Sequence, residues 1–239
     1  MTTSTAKTTA RSPYMAGVRD GLPFILMAAP FATVFGVVAT DAGLTLAQAM
    51  GFSVLVIAGA SQFAAVQMMV DNAGIAFVLL AALAVNLRMA MYSASLVPYL
   101  GKAPLWQRAF VAYLLFDQTY IGSVARFEDR PEMSVSDRVA YFMGLATPIT
   151  PTWVIMTLVG IMAGAAIPEA WALDFIVPIM FLAMVAPMMK SLAHVAAAVS
   201  VVMALALIGL PSGTGLLIAA VTAMVTGAVV EVIMERRAR

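Results

Sequence analysis

The chain has 239 residues, of which 63% are hydrophobic and 10% charged, and its formal net charge is +1. A soluble domain carries about 25% charged residues and turns much of its surface to water, so this composition excludes a soluble globular protein and predicts one embedded in lipid. The near-zero charge offers no global field for nucleic acid or an acidic partner, and the absence of cysteine excludes disulfides and thiolate metal sites.

Residues 1–20 read as a polar N-terminal tail, with Met1 to Ala10 expected to be disordered. Further apolar runs follow the first, so it reads as a retained span rather than a cleaved signal. A spanning helix needs about 20 mostly apolar residues. Gly21 to Thr40 is charge-free and fits one span; Ala42 to Val70 is longer and also charge-free. Asn72 to Gly101 is apolar apart from Arg88, and Ala109 to Ala125 apart from Asp117. Val139 to Pro168 is charge-free, and Phe175 to Met189 lies at the lower edge of span length. Ser191 to Val230 is long enough for two helices, with a turn at Leu210-Pro211-Ser212-Gly213-Thr214-Gly215. The fold class is all-α: a polytopic helix bundle of about eight membrane segments, with broken or re-entrant helices and two structural repeats as further features.

Residues 21–239 form a single transmembrane domain in this reading. The polar loop 126–138 divides it into halves 21–125 and 139–235. The halves share a faint similarity between Ala28-Ala29-Pro30 with Gly36 and Ala146-Thr147-Pro148 with Gly160. With eight simple crossings, Lys7, Arg11, Arg19, Arg126, Arg130, Arg138, Lys190, Arg236, Arg237 and Arg239 share one side, against Lys102 and Arg108 on the other. That bias predicts both termini in the cytoplasm. Re-entrant Ala42–Val70 and Phe175–Met189 leave the same orientation with a weaker bias, so charge does not choose between the two arrangements.

Few acids and one histidine, His194, leave no metal cluster, and no phosphate-binding glycine loop is present. The expectation is a protein that is not an enzyme and holds no cofactor or metal. Three polar stretches interrupt the apolar spans. The first is Gly59-Ala60-Ser61-Gln62-Phe63. It fits an unwound point where Gln62 and backbone groups hold a polar ligand, and equally a tight helix contact with Gln62 bonded across it. The second surrounds Arg88, with Asn86, Tyr92, Ser93 and Ser95. An arginine in a span persists with a partner, in a water-filled cavity, or by snorkelling to an interface. On a helix Arg88, Tyr92 and Ser95 share one face. The third is Asp117-Gln118-Thr119-Tyr120, where Asp117 shares a helical face with Tyr113 and Tyr120. Asp117 either balances Arg88 or carries a coupling proton. Gly59, Pro30, Pro148, Pro151, Pro178 and Pro187 are candidate helix breaks, the prolines because they lack an N–H donor. Lys190 with His194 reads as interfacial, and Glu231 and Glu235 beside the terminal arginines as a solvated helix end.

These stretches, in this order, resemble the AzlC family, the large subunits of bacterial branched-chain amino acid exporters. The matching residues are Gly59 to Phe63, Asn86-Leu87-Arg88 with Tyr92 to Leu96 and Pro98, Asp117 to Tyr120, and Gly17 to Gly36 with Pro30-Phe31. Met89 stands where many relatives carry a histidine, so proton coupling through that position is not carried over. Gln118 stands where an acidic or other polar residue can occur. The resemblance implies a multi-pass protein of the bacterial inner membrane and a small AzlD-type membrane subunit of about a hundred residues as partner. It also implies export of valine, leucine and isoleucine, sometimes methionine. On that expectation Ser61, Gln62, Asn86, Arg88, Tyr92 and Asp117 hold the substrate's charged ends, and Met, Phe and Val residues take its side chain. The alternative is an uncoupled facilitator or channel for another small solute.

Overall fold

The computed structural model describes residues 12–164 and 214–238, with the isolated positions 196 and 199. Pro178, Pro187, Lys190, His194 and most of the expected turn at Leu210 lie outside the described residues.

Helix α1 (Pro13–Gly21) opens at Pro13, whose ring presets the first-turn backbone and whose missing N–H is no loss there. The helix therefore begins before Gly21, and part of the expected polar tail is structured. A short 3-10 turn, Leu22–Phe24, links it to α2 (Ile25–Asp41), and together they make a continuous 29-residue span. The apolar run after Thr45 is two helices, α3 (Leu46–Leu55) and α4 (Gly59–Val70). Thr45 caps α3 through a reciprocal pair with Gln48. Helix α5 (Ile75–Leu100) is a span of 26 residues. The run around Asp117 is again two helices, α6 (Leu105–Tyr113) and α7 (Asp117–Asp129). Helix α8 (Val135–Gly164) is a 30-residue span, and α9 (Thr214–Ala238) touches α5. Helices α7 and α8 continue into the expected polar loop, which shrinks to residues 130–134.

The central seam joins α1–α2 to α8. A Cβ added at Gly17 would lie 2.1 Å from the Tyr141 carbonyl, and one at Gly144 would lie 2.0 Å from that of Tyr14. Further along, Gly36 meets Thr157 and Gly160 meets Thr33 in the same reciprocal way. Small residues let backbones approach this closely, which drives helix pairing in lipid. Both partners ascend in number along the seam, so α2 and α8 run in the same direction. The similarity between the Gly36 and Gly160 stretches thus has a packing counterpart.

Directions of the remaining helices follow from their neighbours. Helix α3 descends along α8: Ala49 packs with Ile161, the Ser53 and Thr157 hydroxyls share a 2.9 Å hydrogen bond, and Ile57 reaches the Ile149–Trp153 level. Helix α4 climbs back beside α2, with Gly59 near Phe31 and Phe63 near Phe35. Helix α5 then descends, since Ala65 and Met68 pack with Ala81 and Val78, and its end meets the start of α8, where Arg138 lies over the Tyr99 ring. Helix α6 rises to Phe116, which packs beside Ile57. Helix α7 returns, passing Leu145 at Gly122 and Tyr141 at Phe127.

So α3–α4 and α6–α7 are re-entrant helical hairpins that dip from opposite faces and meet by their tips. Ala109–Ala125, expected as one segment, is instead split between the two arms of a hairpin, α6 and α7. Lys102 and Arg108 therefore share a face with Arg19, Arg126, Arg130 and Arg138, rather than opposing them. This face, called basic for its Lys and Arg although Asp20, Glu128, Asp129, Glu132 and Asp137 lie there too, contrasts with the opposite one, called acidic here, which carries Asp41 and Asp71 at the ends of α2 and α4. The units α3–α4–α5 and α6–α7–α8 each consist of two short helices and one long span, and they run in opposite senses through the bundle.

The helix breaks expected at Pro30, Pro148 and Pro151 are absent: α2 and α8 run through them. Backbone groups freed by proline in a span are met by neighbouring hydroxyls or helices. The interruptions fall instead at Val56–Ala58 and Leu114–Phe116.

Candidate functional site

The hairpin tips have matching local geometry. Ala58 and Phe116 precede α4 and α7 with φ of −140° and −139°. Three residues on, Ser61 and Thr119 donate their hydroxyls to the Ala58 and Phe116 carbonyls at 2.9 and 3.0 Å. Thr119 also accepts from the Phe116 N–H at 3.0 Å. The tips are tied together by Tyr113, whose hydroxyl donates to the Val54 carbonyl. Ile57 holds φ +37°, a left-handed conformation that a β-branched residue adopts only under constraint, and such strain gathers at ligand sites.

A cavity of about 540 Å³ lies where the tips meet. That volume is within the usual range for a small-molecule site, about 300–1,000 Å³. Its walls are mostly apolar: Met27, Phe31, Ile57, Met89, Phe116, Ile121, Ile149 and Trp153. Isoleucines take the place of the expected valines. Pro30 and Gly59 also line it. A Cβ at Gly59 would lie 2.4 Å from the Phe31 ring and 2.7 Å from that of Trp153, so glycine keeps this wall open.

The polar part of the lining is compact. Arg88 meets Asp117 with Nη1 to Oδ2 at 3.1 Å, and the two side chains are 24% and 30% exposed. The Tyr92 hydroxyl donates to the other carboxylate oxygen at 3.0 Å. Tyr120 stacks on Tyr92 with ring centres 4.0 Å apart, and its hydroxyl donates to Ser95. Asp117 opens α7, where the positive end of the helix dipole favours a carboxylate. Gly59 opens α4 without any side-chain cap, so that first turn presents backbone N–H groups at the cavity wall. Fixed positive and negative groups thus face one apolar chamber from opposite hairpins.

The structure brings together Gly59, Arg88, Tyr92 and Asp117 and leaves out three other expected residues. Ser61 is buried and bonded to Ala58, inside a regular helix rather than at the unwound point. Gln62 and Asn86 do not line the cavity either. The unwinding precedes Gly59, so these side chains point from intact helices. Tyr113 and Asp117 do not share a helical face, because the break separates them. Trp153 lines the chamber without having been foreseen, beside Phe31, one of the expected phenylalanines, and Gln118 of the third polar stretch. Trp153 had a usable signal: tryptophan favours membrane interfaces, and this one sits deep within an apolar run.

Residues 23–167 match the family described as AzlC protein. The chain is 27% identical to "Inner membrane protein YgaZ" of Escherichia coli (strain K12) over 180 residues, covering 71% of this chain and 70% of that protein. It is 30% identical to an "Uncharacterized membrane protein" of Archaeoglobus fulgidus over 192 residues, covering 77% and 79%. No solved structure matches it. The matched segment contains both hairpins, two of the three long spans whole and the first from Pro23 onward, and every cavity residue named above, and the chain is a membrane protein of the AzlC family.

Proposed function

We propose that this chain is the substrate-carrying subunit of an exporter of branched-chain amino acids. The Arg88–Asp117 pair at the wall of an apolar chamber carries this reading. A charge within a span costs at least about 2.5 kcal/mol at its centre, which favours retention where a solute uses it. A zwitterion presents one charge of each sign. Its carboxylate suits Arg88 and the N–H groups opening α4, while its ammonium suits Asp117 and the surrounding aromatic rings. The empty pair and the loaded site are both neutral overall. A net-charged amino acid would leave one charge unmatched in a low-dielectric chamber. The Met, Phe, Ile and Trp walls suit a branched aliphatic side chain such as that of valine, leucine or isoleucine, and methionine fits the same chemistry.

Lysine and arginine gather on the basic face, so we place it in the cytoplasm. Hairpins α6–α7 and α3–α4 then act as cytoplasmic and external gates of an alternating-access cycle in the bacterial inner membrane. The sequence holds no nucleotide-binding loop, and an ion gradient or the membrane potential supplies the energy. A small AzlD-type membrane subunit completes the transporter.

Leucine efflux from cells expressing both chains tests this. Arg88→Ala and Asp117→Asn each leave one charge unpaired, and each is expected to abolish export while lowering stability by up to about 3 kcal/mol. The neutral double variant Arg88→Gln with Asp117→Asn is expected to regain stability but not export. Normal efflux by a correctly inserted double variant would reject the assignment. Efflux that ignores both the proton gradient and the membrane potential would favour an uncoupled facilitator.

A further inference from the structure

Among the described residues, several buried polar atoms near the cavity have no hydrogen-bond partner: both amide atoms of the fully buried Gln62, Asn86 Oδ1, Arg88 Nε and Trp153 Nε1. Arg88 is held through Nη1 by Asp117. Gln62, Asn86 and Arg88 lie on the α4–α5 pair. Lipid supplies no substitute partner, so unpaired groups there are costly and rare. A side chain used only to hold helices together would be paired across the contact.

Their placement has a direction. Ala65 and Met68 of α4 pack with Ala81 and Val78 of α5, and continuing this antiparallel register puts Gln62 and Asn86 at adjoining levels. Both lie on the acidic-face side of Arg88, which lines the cavity. The α3–α4 hairpin covers the chamber on that side with Ile57, Ala58, Gly59 and Ala60. It is anchored at the acidic face by two short turns, where Gly43 and Asn72 hold positive φ. Among the described residues this hairpin lies between the chamber and the acidic face.

We infer that Gln62 and Asn86 form the polar track of the outer half-route, Gln62 buried and Asn86 half-buried in this structure, and that both open along the α4–α5 seam when the α3–α4 hairpin moves. They do not hold the substrate at rest. They receive its charged end after it leaves Arg88 and Asp117, and an amide suits either sign because it both donates and accepts. The inference rests on the transport reading and extends it to residues outside the chamber.

A leucine side chain is close to glutamine in size and needs no partner. Gln62→Leu is therefore expected to raise the thermal midpoint of the protein in detergent. It is also expected to cut the initial rate of leucine efflux by about tenfold or more, the factor that accompanies losing one hydrogen bond to a charged group. A structural glutamine would behave oppositely, with the midpoint falling. The chain contains no cysteine, so Gln62→Cys provides a single thiol. A membrane-impermeant cationic methanethiosulfonate added outside the cell should label it several-fold faster during leucine efflux than at rest. Ala32→Cys, fully buried on α2, should stay unlabelled in both conditions. The inference falls if wild-type protein exports leucine while Gln62→Leu exports equally well, or if Gln62→Cys resists labelling throughout efflux. If wild-type protein co-expressed with its small subunit exports no leucine, the transport reading itself falls first.

Discussion

At the scale of single residues, backbone proximity and charge dominate. The glycines of the central seam sit where a methyl group would press on a neighbouring carbonyl rather than on a side chain able to turn away. Gly144→Val is expected to destabilise the folded protein by more than about 3 kcal/mol, the upper end of ordinary overpacking, because backbone cannot repack. Gly51→Ala, with nothing within 4 Å of the new Cβ, should be neutral or slightly stabilising. Thermal unfolding of both variants in detergent checks the contrast. Arg88, Tyr92 and Asp117 were legible in the sequence because a charge or hydroxyl in an apolar run demands a partner. Trp153 was not, because an aromatic residue in such a run looks like any other packing group until the chamber beside it is known. Ser61 and Gln62 drew notice for their polarity, but polarity alone does not say which way a helix faces.

At the scale of elements, the interruptions were the least legible feature. Prolines drew the expectation of breaks, yet α2 and α8 absorb theirs. The real interruptions, Val56-Ile57-Ala58 and Leu114-Leu115-Phe116, contain neither glycine nor proline. They are enforced by tertiary contacts, chiefly the meeting of the tips and the hydroxyl of Thr119, which serves Leu114, Phe116 N–H and Phe116 C=O. Thr119 is fully buried, so Thr119→Val is expected to strip this partner from the Phe116 N–H and the Leu114 carbonyl, while the Phe116 carbonyl keeps the Tyr120 N–H, at a cost of about 1–3 kcal/mol. The exposed-helix counterpart Thr222→Val, whose hydroxyl only bonds back to Ile218, should change stability by no more than about 0.5 kcal/mol. Circular dichroism melts of the two variants separate these outcomes. An apolar run of hairpin length and one of span length look alike in the sequence, so hairpins were admitted for Ala42–Val70 and missed for Ala109–Ala125.

At the scale of the whole molecule, the all-α membrane bundle followed from composition alone, whereas its topology needed the helix neighbours. The hairpin arrangement places Lys102 and Arg130 on one face and Gly43 and Asn72 on the other. Single-cysteine variants at these positions, labelled in right-side-out and inside-out vesicles, should fall into those two pairs. Labelling of positions 102 and 130 from opposite sides would restore a full crossing for Ala109–Ala125. The glycine seam holds the backbones of α1–α2 and α8 in close contact along their length.

The oppositely threaded units α3–α5 and α6–α8 bear on vectorial flow. On the transport reading proposed above, a solute leaving the centre would meet a hairpin tip, two half-helices and a surface turn either way, with left-handed strain at Ile57 of one tip. Such a scaffold is a revolving door with no built-in preference for outward rotation. Net direction would then come from the thermodynamic driving force alone, the unlike side chains of the two doorways setting only how fast each one turns.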